Sequence, residues 1–351
     1  MQNFDTRISV TKALCIILMV VGHSGCPTFL GEYIYQFHMP CFFFVSGFLL
    51  KEKYLSTMMT FFKRRIKGLW WPFVKWSVVF MLLHNVLTSL HIYNSSYTLT
   101  DMTYKLFHIV TMTGSEQLLG GYWFLKELLY ASVISIIALK LLHTIPNRNA
   151  GKDVQNGIVL CLVSLVFAYI LSIVPFKIPT IGSRTLLSTA CYFAGYTFHK
   201  LPNSNKSNLW KGILYLLVVC IISFYYTNSM SATGYDIFIY FSIAMIGTVG
   251  VINLAGLIKG NTLKVLNYVG GKTLYILTFH FLALKLVSLF IILIKDLPIT
   301  KLSDFPTISG ISTNYWIIYS IVGVVVPLLI WEFSEYLQTR VKTLFLKKRT
   351  T

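Results

Sequence analysis

Runs of about twenty apolar residues recur along this chain, and nothing else in the sequence restricts its fold as much. A helix of that length crosses the roughly 30 Å hydrocarbon core of a bilayer. In lipid, only helices and closed barrels satisfy every backbone polar group. Ten such runs can be marked, at roughly 8–27, 33–50, 69–91, 122–143, 157–174, 181–199, 211–228, 235–258, 265–294 and 314–337. The ninth exceeds what a bilayer needs, so it is expected to be tilted, broken or partly interfacial. Hydrophobic residues make up 55% of the 351 and charged residues 12%, about half the charged share of an ordinary soluble domain. The expectation is an all-α integral membrane protein with about ten transmembrane helices, forming one polytopic domain over 1–351. The first run has no small-residue cleavage site and holds two ionisable groups, so it reads as a retained span and not a signal peptide.

A net charge of +18 would suggest nucleic acid in a soluble protein, but its distribution argues otherwise. Of the 30 basic residues, twenty fall in one alternate set of connecting segments. Arg7, the Lys51–Lys67 cluster, Arg148, Lys200, Lys259 and Arg340 are among them. Five fall in the opposite set (Lys105, Lys177, Arg184, Lys295 and Lys301), and five lie within the runs themselves. Basic residues concentrate on the cytoplasmic side of membrane proteins, so both termini are expected in the cytoplasm, with no nucleic-acid partner needed. The six cysteines are scattered without a CxxC pair, which argues against a disulfide framework or a zinc site; no metal is expected.

The first run, VTKALCIILMVVGHSG over 10–25, carries Lys12 and His23. At about 100° per residue their spacing places both on one helix face, roughly 16 Å apart along the axis. The stripe between them is Cys15, Ile16, Met19 and Gly22. Separately, Lys12 reads equally well as a side chain snorkelling to the interface, and His23 as a helix-end histidine bonded to a neighbour. Together they favour a lined path, because ionisable groups inside membranes are costly and usually face a cavity.

A basic residue, ten residues and a histidine on the first helix resembles the signature of the membrane acyltransferase-3 family. Three further stretches match in order. QFHMPCFFFVSGFLLK (36–51) resembles the second helix of its sugar O-acetylase (fucose 4-O-acetylase-like) branch, GGYWFLKELLY (120–130) is similar to its WFL segment, and LYILTFHF (274–281) to its late Tyr-x-x-x-x-His helix. The chain departs from many relatives at Ser9-Val10-Thr11-Lys12, where they have Asp-x-x-Arg; lysine lacks the bidentate fork of arginine. The resemblance implies a bacterial, multi-pass cell-membrane O-acyltransferase, in the simplest case an acetyltransferase. It would move an acyl group from cytoplasmic acyl-CoA (acetyl-CoA) to a hydroxyl of a surface or secreted glycan or its lipid-linked precursor. The bilayer and, at most, other polysaccharide-assembly proteins would be its further partners.

That reaction sets demands on residue types. The CoA phosphates need cations, which Lys12 with Lys63, Arg64 and Arg65 can supply, although such a run also serves topology and lipid headgroups. The acceptor hydroxyl needs a base, and a neutral imidazole suits it; His23 is the candidate. His38, Glu32 and Glu127 are candidates to orient it; Glu127 can pair with His23, His38 or Lys285, or simply with a nearby lysine. His38 can equally cap carbonyls freed by Pro40. Ser46-Gly47 suits close helix packing, with Ser46 a weaker site candidate. Tyr122 and Trp123 can stack on sugar rings or sit in an aromatic belt. His280 is either part of the site or a satisfied buried histidine. The acyl-carrier thiols to consider are Cys15 and Cys26, though buried thiols are usually inert. Two other functions stay open: a proton-coupled transporter or exporter of a glycan or small solute using Lys12, His23, Glu127 and Lys285, and a scaffold in which His23 is dispensable.

Overall fold

A computed structural model describes residues 6–143, 150–175, 180–202, 204 and 206–347. Arg148, Lys177, Lys348 and Arg349, which entered the charge distribution, lie outside the described residues. Every regular element that is described is helical. The first helix, α1 (Thr6–His23), ends where Gly25 takes φ +77° and Pro27 follows, because proline cannot continue a helix and glycine accepts the left-handed turn.

The expected second span is not one helix. It divides into α2 (Thr28–Tyr35) and α3 (His38–Phe48), with Phe37 between them at φ −142°, ψ −21°. Pro40 explains the position of the break. Its ring would clash with the carbonyl four residues back, that of Gln36, in a continuous helix. In the first turn of a new helix proline costs nothing, because its missing N–H has no partner there anyway. Two short helices, α4 (Lys53–Ser56) and α5 (Met58–Arg65), lead through a π turn at Ile66–Trp70 into α6 (Trp71–Ser89). Beyond α6, Thr98 and Asp101 close a reciprocal capping box on α7 (Leu99–Val110).

The remaining helices are α8 (Trp123–His143), α9 (Ala150–Ile173), α10 (Ser183–Lys200), α11 (Leu209–Ile222), α12 (Asp236–Ala255), α13 (Gly260–Gly271), α14 (Thr273–Lys295) and α15 (Trp316–Lys347). The long ninth run is therefore broken, between α13 and α14, at Gly271-Lys272. Among the described residues six helical stretches are long and apolar enough to cross a membrane.

Burial sorts these stretches by position. In α14, 72% of the apolar window is buried; in α15 it is 17%. As far as Leu329 the side chains α15 leaves exposed, Ile317, Ile321 and Val325 among them, are apolar, as expected of a surface that meets lipid and not water. By contrast α10 packs against α3, α8 and α9 and buries Thr185, Ser188 and Thr189. Its low hydropathy reflects protein neighbours on most sides, with Ser188 and Thr189 donating to carbonyls four residues back.

The contact of α3 with α10 rests on two glycines. A Cβ on Gly47 would overlap the Tyr192 carbonyl, and one on Gly195 the Phe44 carbonyl. The Ser46-Gly47 pair thus serves close packing through Gly47.

The segment between α6 and α8 has a polar core of its own. His84 sits between the rings of Tyr93 and Tyr97, at 4.4 and 3.5 Å between centroids. Its Nδ1 is 2.8 Å from the buried Glu116 carboxylate and its Nε2 2.9 Å from the Ser95 carbonyl. Burial and the nearby Glu116 charge push the Tyr93 and Tyr97 phenols up from their ordinary value.

Candidate active site

Along the buried face of α1 lie two cavities. The first, about 200 Å³, is walled by Lys12, Ile16 and Met19 of α1, with Ser46 of α3, Gly68 of the π turn and Leu277 of α14. Apart from Thr273, the rest of its lining is apolar. The second, about 160 Å³, holds His23, Tyr35, His38, Trp123, Arg184 and Ser231 in its wall. Met19, Met39 and Leu277 line both, so these three side chains form the partition between them. Of the face drawn from Lys12 to His23, Lys12 opens on one cavity and His23 on the other. Ile16 and Met19 belong to it. Cys15 does not: it is fully buried in a separate apolar cluster beside Cys41. Cys26 lines neither cavity.

His23 is oriented by Tyr35, which the sequence did not single out. The Tyr35 hydroxyl donates to the Gly22 carbonyl at 3.0 Å. Its single hydrogen being used there, its oxygen accepts from His23 Nδ1 at 3.4 Å. That arrangement puts the proton on Nδ1 and leaves the lone pair on Nε2. His280 stacks on His23 at 5.6 Å between ring centroids, and Phe281 lies at 4.9 Å. His280 is thus brought against the base candidate, although it lines neither cavity. Its Nδ1 donates to the Ile276 and Leu277 carbonyls at 3.1 and 3.0 Å, and its buried Nε2 has no partner.

His38 shares the His23 cavity but is not bonded to His23. Its Nδ1 donates to the Ile34 carbonyl at 2.8 Å, across the α2–α3 break, and not to the Gln36 carbonyl that Pro40 displaces. The carboxylate candidates fall elsewhere. Glu127 is buried and accepts from Thr185 Oγ1 at 2.6 Å, with Lys126 Nζ at 3.8 Å; of the pairings held open, the one with a nearby lysine is formed and those with a histidine or Lys285 are not, because the residue faces α10. Glu32 sits half-buried on α2 and lines neither cavity. Lys285 donates to the Leu302 carbonyl at 2.9 Å and to that of Asp304, anchoring the loop before α15. The four residues of the proton-path alternative are therefore not gathered in either cavity.

The basic run divides by role. Arg65 donates to Ser46 Oγ at 3.2 Å and to the Tyr192 hydroxyl at 3.3 Å, which brings its charge to the wall of the Lys12 cavity. Arg64 turns to the Tyr54 hydroxyl at 2.7 Å, and Lys63 is exposed. Lys12 has no carboxylate within ion-pair distance among the described residues. Tyr122, placed with Trp123 as a sugar platform, is fully buried and shares a 2.8 Å hydrogen bond with Thr278; it ties the α8 entrance to α14, and only Trp123 faces the cavity. Arg184 was read for topology alone, yet its guanidinium lies over the Trp123 ring at 5.0 Å. No group of three metal-ligating side chains is assembled among the described residues.

No curated protein and no solved structure matches the chain. The sequence model of the acyltransferase-3 family, described as an acyltransferase domain, matches residues 5–332. That span takes in the whole of α1, both cavities and about the first half of α15, so the chain is a membrane acyltransferase that belongs to the acyltransferase-3 family.

Proposed function

We propose that this acyltransferase takes an acyl group, acetyl in the simplest case, from cytoplasmic acyl-CoA and places it on a hydroxyl of a surface or secreted glycan or its lipid-linked precursor. The observation that carries this reading is the pair of cavities set end to end along α1, cationic at one end and imidazole-bearing at the other. In this reading the termini are cytoplasmic, the short broken helices complete the ten crossings, and the protein sits in a bacterial cell membrane. Lys12 and Arg65 attract the CoA phosphates at the cytoplasmic end. The apolar Lys12 cavity takes the donor's arm, and the acyl thioester meets the acceptor where Met19, Met39 and Leu277 part.

His23 Nε2 removes the acceptor proton as the hydroxyl oxygen attacks the thioester carbonyl. The C–O bond forms, the C–S bond breaks, and the imidazolium returns its proton to the CoA thiolate. Tyr35 holds the imidazole in the tautomer this needs, and Trp123 offers a face to a sugar ring. Among the described residues the one side-chain hydroxyl that His23 meets is that of Tyr35. Transfer is therefore direct, without a covalent acyl-enzyme.

The test is transfer of labelled acetyl from acetyl-CoA in membrane vesicles with a native glycan extract, wild type against His23→Ala at matched expression. Transfer by the wild type alone supports the reading. Equal transfer by both removes His23 as the base, and no consumption of acetyl-CoA by either refutes the donor assignment.

A further inference from the structure

Arg184 is the one permanent cation in the wall of the His23 cavity, and the proposed reaction gives it no task. It lies at the start of α10, half-buried, with its guanidinium over Trp123 at 5.0 Å and one hydrogen bond, from Nη2 to Ser231 Oγ at 2.7 Å. A guanidinium carries five N–H donors in a planar fork. One bond to a serine leaves most of them unused, and stacking on an aromatic face fixes the fork without occupying its edge. No carboxylate lies in the described wall of this cavity. Glu127, close enough to feel the Arg184 charge, is bonded to Thr185 and paired with Lys126, and forms no ion pair with Arg184 among the described residues. The other ionisable groups in the wall, His23, His38 and the neutral phenol Tyr35, add no negative charge. The first turn of α10 contributes a positive potential at the same end. The serine that Arg184 holds comes from the 223–235 connection, which brings Ser229, Met230 and Ser231 to the same wall. A fixed, undersupplied guanidinium on an aromatic plate, in the same small cavity as the base, is an oxyanion site.

We infer that Arg184 selects the acceptor: the sugar that enters the His23 cavity carries an anionic oxygen group, a carboxylate or a phosphate, which binds the Arg184 fork while its hydroxyl faces His23. This rests on the acyltransfer reading for the direction in which the acceptor enters. Carboxylate and phosphate share the chemistry the fork recognises, and the sugar acid and the sugar phosphate are separated by the choice of probe.

The experiment measures binding without turnover. Full-length protein in nanodiscs of neutral lipid is titrated calorimetrically with methyl glucuronide, with glucose 1-phosphate and with methyl glucoside. The expected result is at least about tenfold tighter binding of one anionic sugar than of the neutral one, weakening with salt. Which anionic sugar it is names the source. Arg184→Gln is expected to abolish the preference, and Arg184→Lys to keep part of it, since lysine supplies charge without the fork. Acetyl-CoA binding by both variants serves as the folding control. Equal binding of charged and neutral sugars, no binding of either anionic sugar by the wild type, or an unchanged preference in Arg184→Gln overturns the inference. Consumption of acetyl-CoA is followed separately. Arg184-dependent anion binding without any acetyl-CoA turnover would refute the donor assignment and leave this inference standing, and turnover with no anionic preference would do the reverse.

Discussion

Tyr35→Phe isolates the orientation of His23 from its presence. The substitution removes one oxygen and leaves the ring that packs edge-on to His23 at 6.2 Å and against His38 at 5.3 Å. Two hydrogen bonds go with that oxygen: one at 3.0 Å to the Gly22 carbonyl and one at 3.4 Å to His23 Nδ1. An ordinary intramolecular hydrogen bond contributes about 0.5–1.5 kcal/mol net. The His23 bond is long, so its contribution belongs near 1 kcal/mol and not at the top of that range. Without it the imidazole can rotate or change tautomer, and the fraction with a lone pair on the correct nitrogen falls. A loss of about 1 kcal/mol in transition-state stabilisation is roughly a fivefold fall in rate. In the proposed mechanism His23→Ala removes the base altogether and forgoes the 10²–10⁴-fold that general-base catalysis typically contributes. The assay is acetyl transfer at saturating acetyl-CoA in vesicles, with protein quantified by immunoblot. The expected order is wild type, Tyr35→Phe at about one fifth, and His23→Ala at background. Tyr35→Phe equal to wild type would show that Tyr35 does not position the base. Tyr35→Phe as inactive as His23→Ala would show that the phenol itself takes part in the chemistry, and the tautomer argument would fail.

Met19→Trp is expected to fill the partition between the cavities and stop transfer while acetyl-CoA still binds, read as retained affinity by calorimetry with no product. Lys12→Gln should raise the KM for acetyl-CoA several-fold and flatten its salt dependence while kcat changes little, because Lys12 acts on the donor's charge and not on the reacting atoms. Glu116→Gln removes the charge that meets His84 and lies 3.7 Å from Lys105; breaking a buried pair of this kind costs about 3–5 kcal/mol. Thermal unfolding in detergent should shift down, and a transition unchanged from wild type would remove the cluster from the account of stability. Gly195→Leu should prevent α3 and α10 from closing, giving protein that does not reach the membrane in folded form, measured by protease resistance.

The helices and the Lys12–His23 face were legible because both rest on periodicity and on the cost of charge in lipid. The misses have particular causes. The span at 33–50 was read as continuous because hydropathy averages over it, whereas the break is decided by one clash, that of the Pro40 ring with the Gln36 carbonyl; the FHMP stretch held that signal. Glu127 and Lys285 were paired with the site because an intramembrane charge needs a partner. For Glu127 the other reading, a nearby lysine, holds in Lys126; the Thr185 hydroxyl, and the Leu302 and Asp304 carbonyls that hold Lys285, are partners sequence spacing does not reveal. Tyr35 was invisible as one of 21 tyrosines, since its role depends on where the helix break turns it. Arg184 was counted for topology, and only its approach to Trp123 separates it from the other basic residues on that side.

Direct transfer makes a further demand that can be checked without an acceptor. An acyl-enzyme needs a side-chain nucleophile beside the base. Ser46 lies in the other cavity, beyond Met19 and Met39, with its oxygen held by Arg65. Cys15 is buried on a different face of α1, and Cys26 opens onto neither cavity. Ser229 and Ser231 do line the His23 cavity, but Ser231 Oγ accepts from Arg184 and Ser229 Oγ from the Ser231 amide, and neither meets an imidazole among the described residues. If transfer is direct as proposed, acetyl-CoA then has nothing to acylate while no acceptor is present. Rapid mixing of acetyl-CoA with a stoichiometric amount of purified enzyme should release no burst of CoA, and the protein mass should stay unmodified. Initial rates with both substrates varied should give intersecting, not parallel, reciprocal plots. A burst approaching one CoA per enzyme, with an added acetyl group mapped to any serine or cysteine, would show a nucleophile that the two cavities do not present. His23 would then act on that residue first and on the acceptor second.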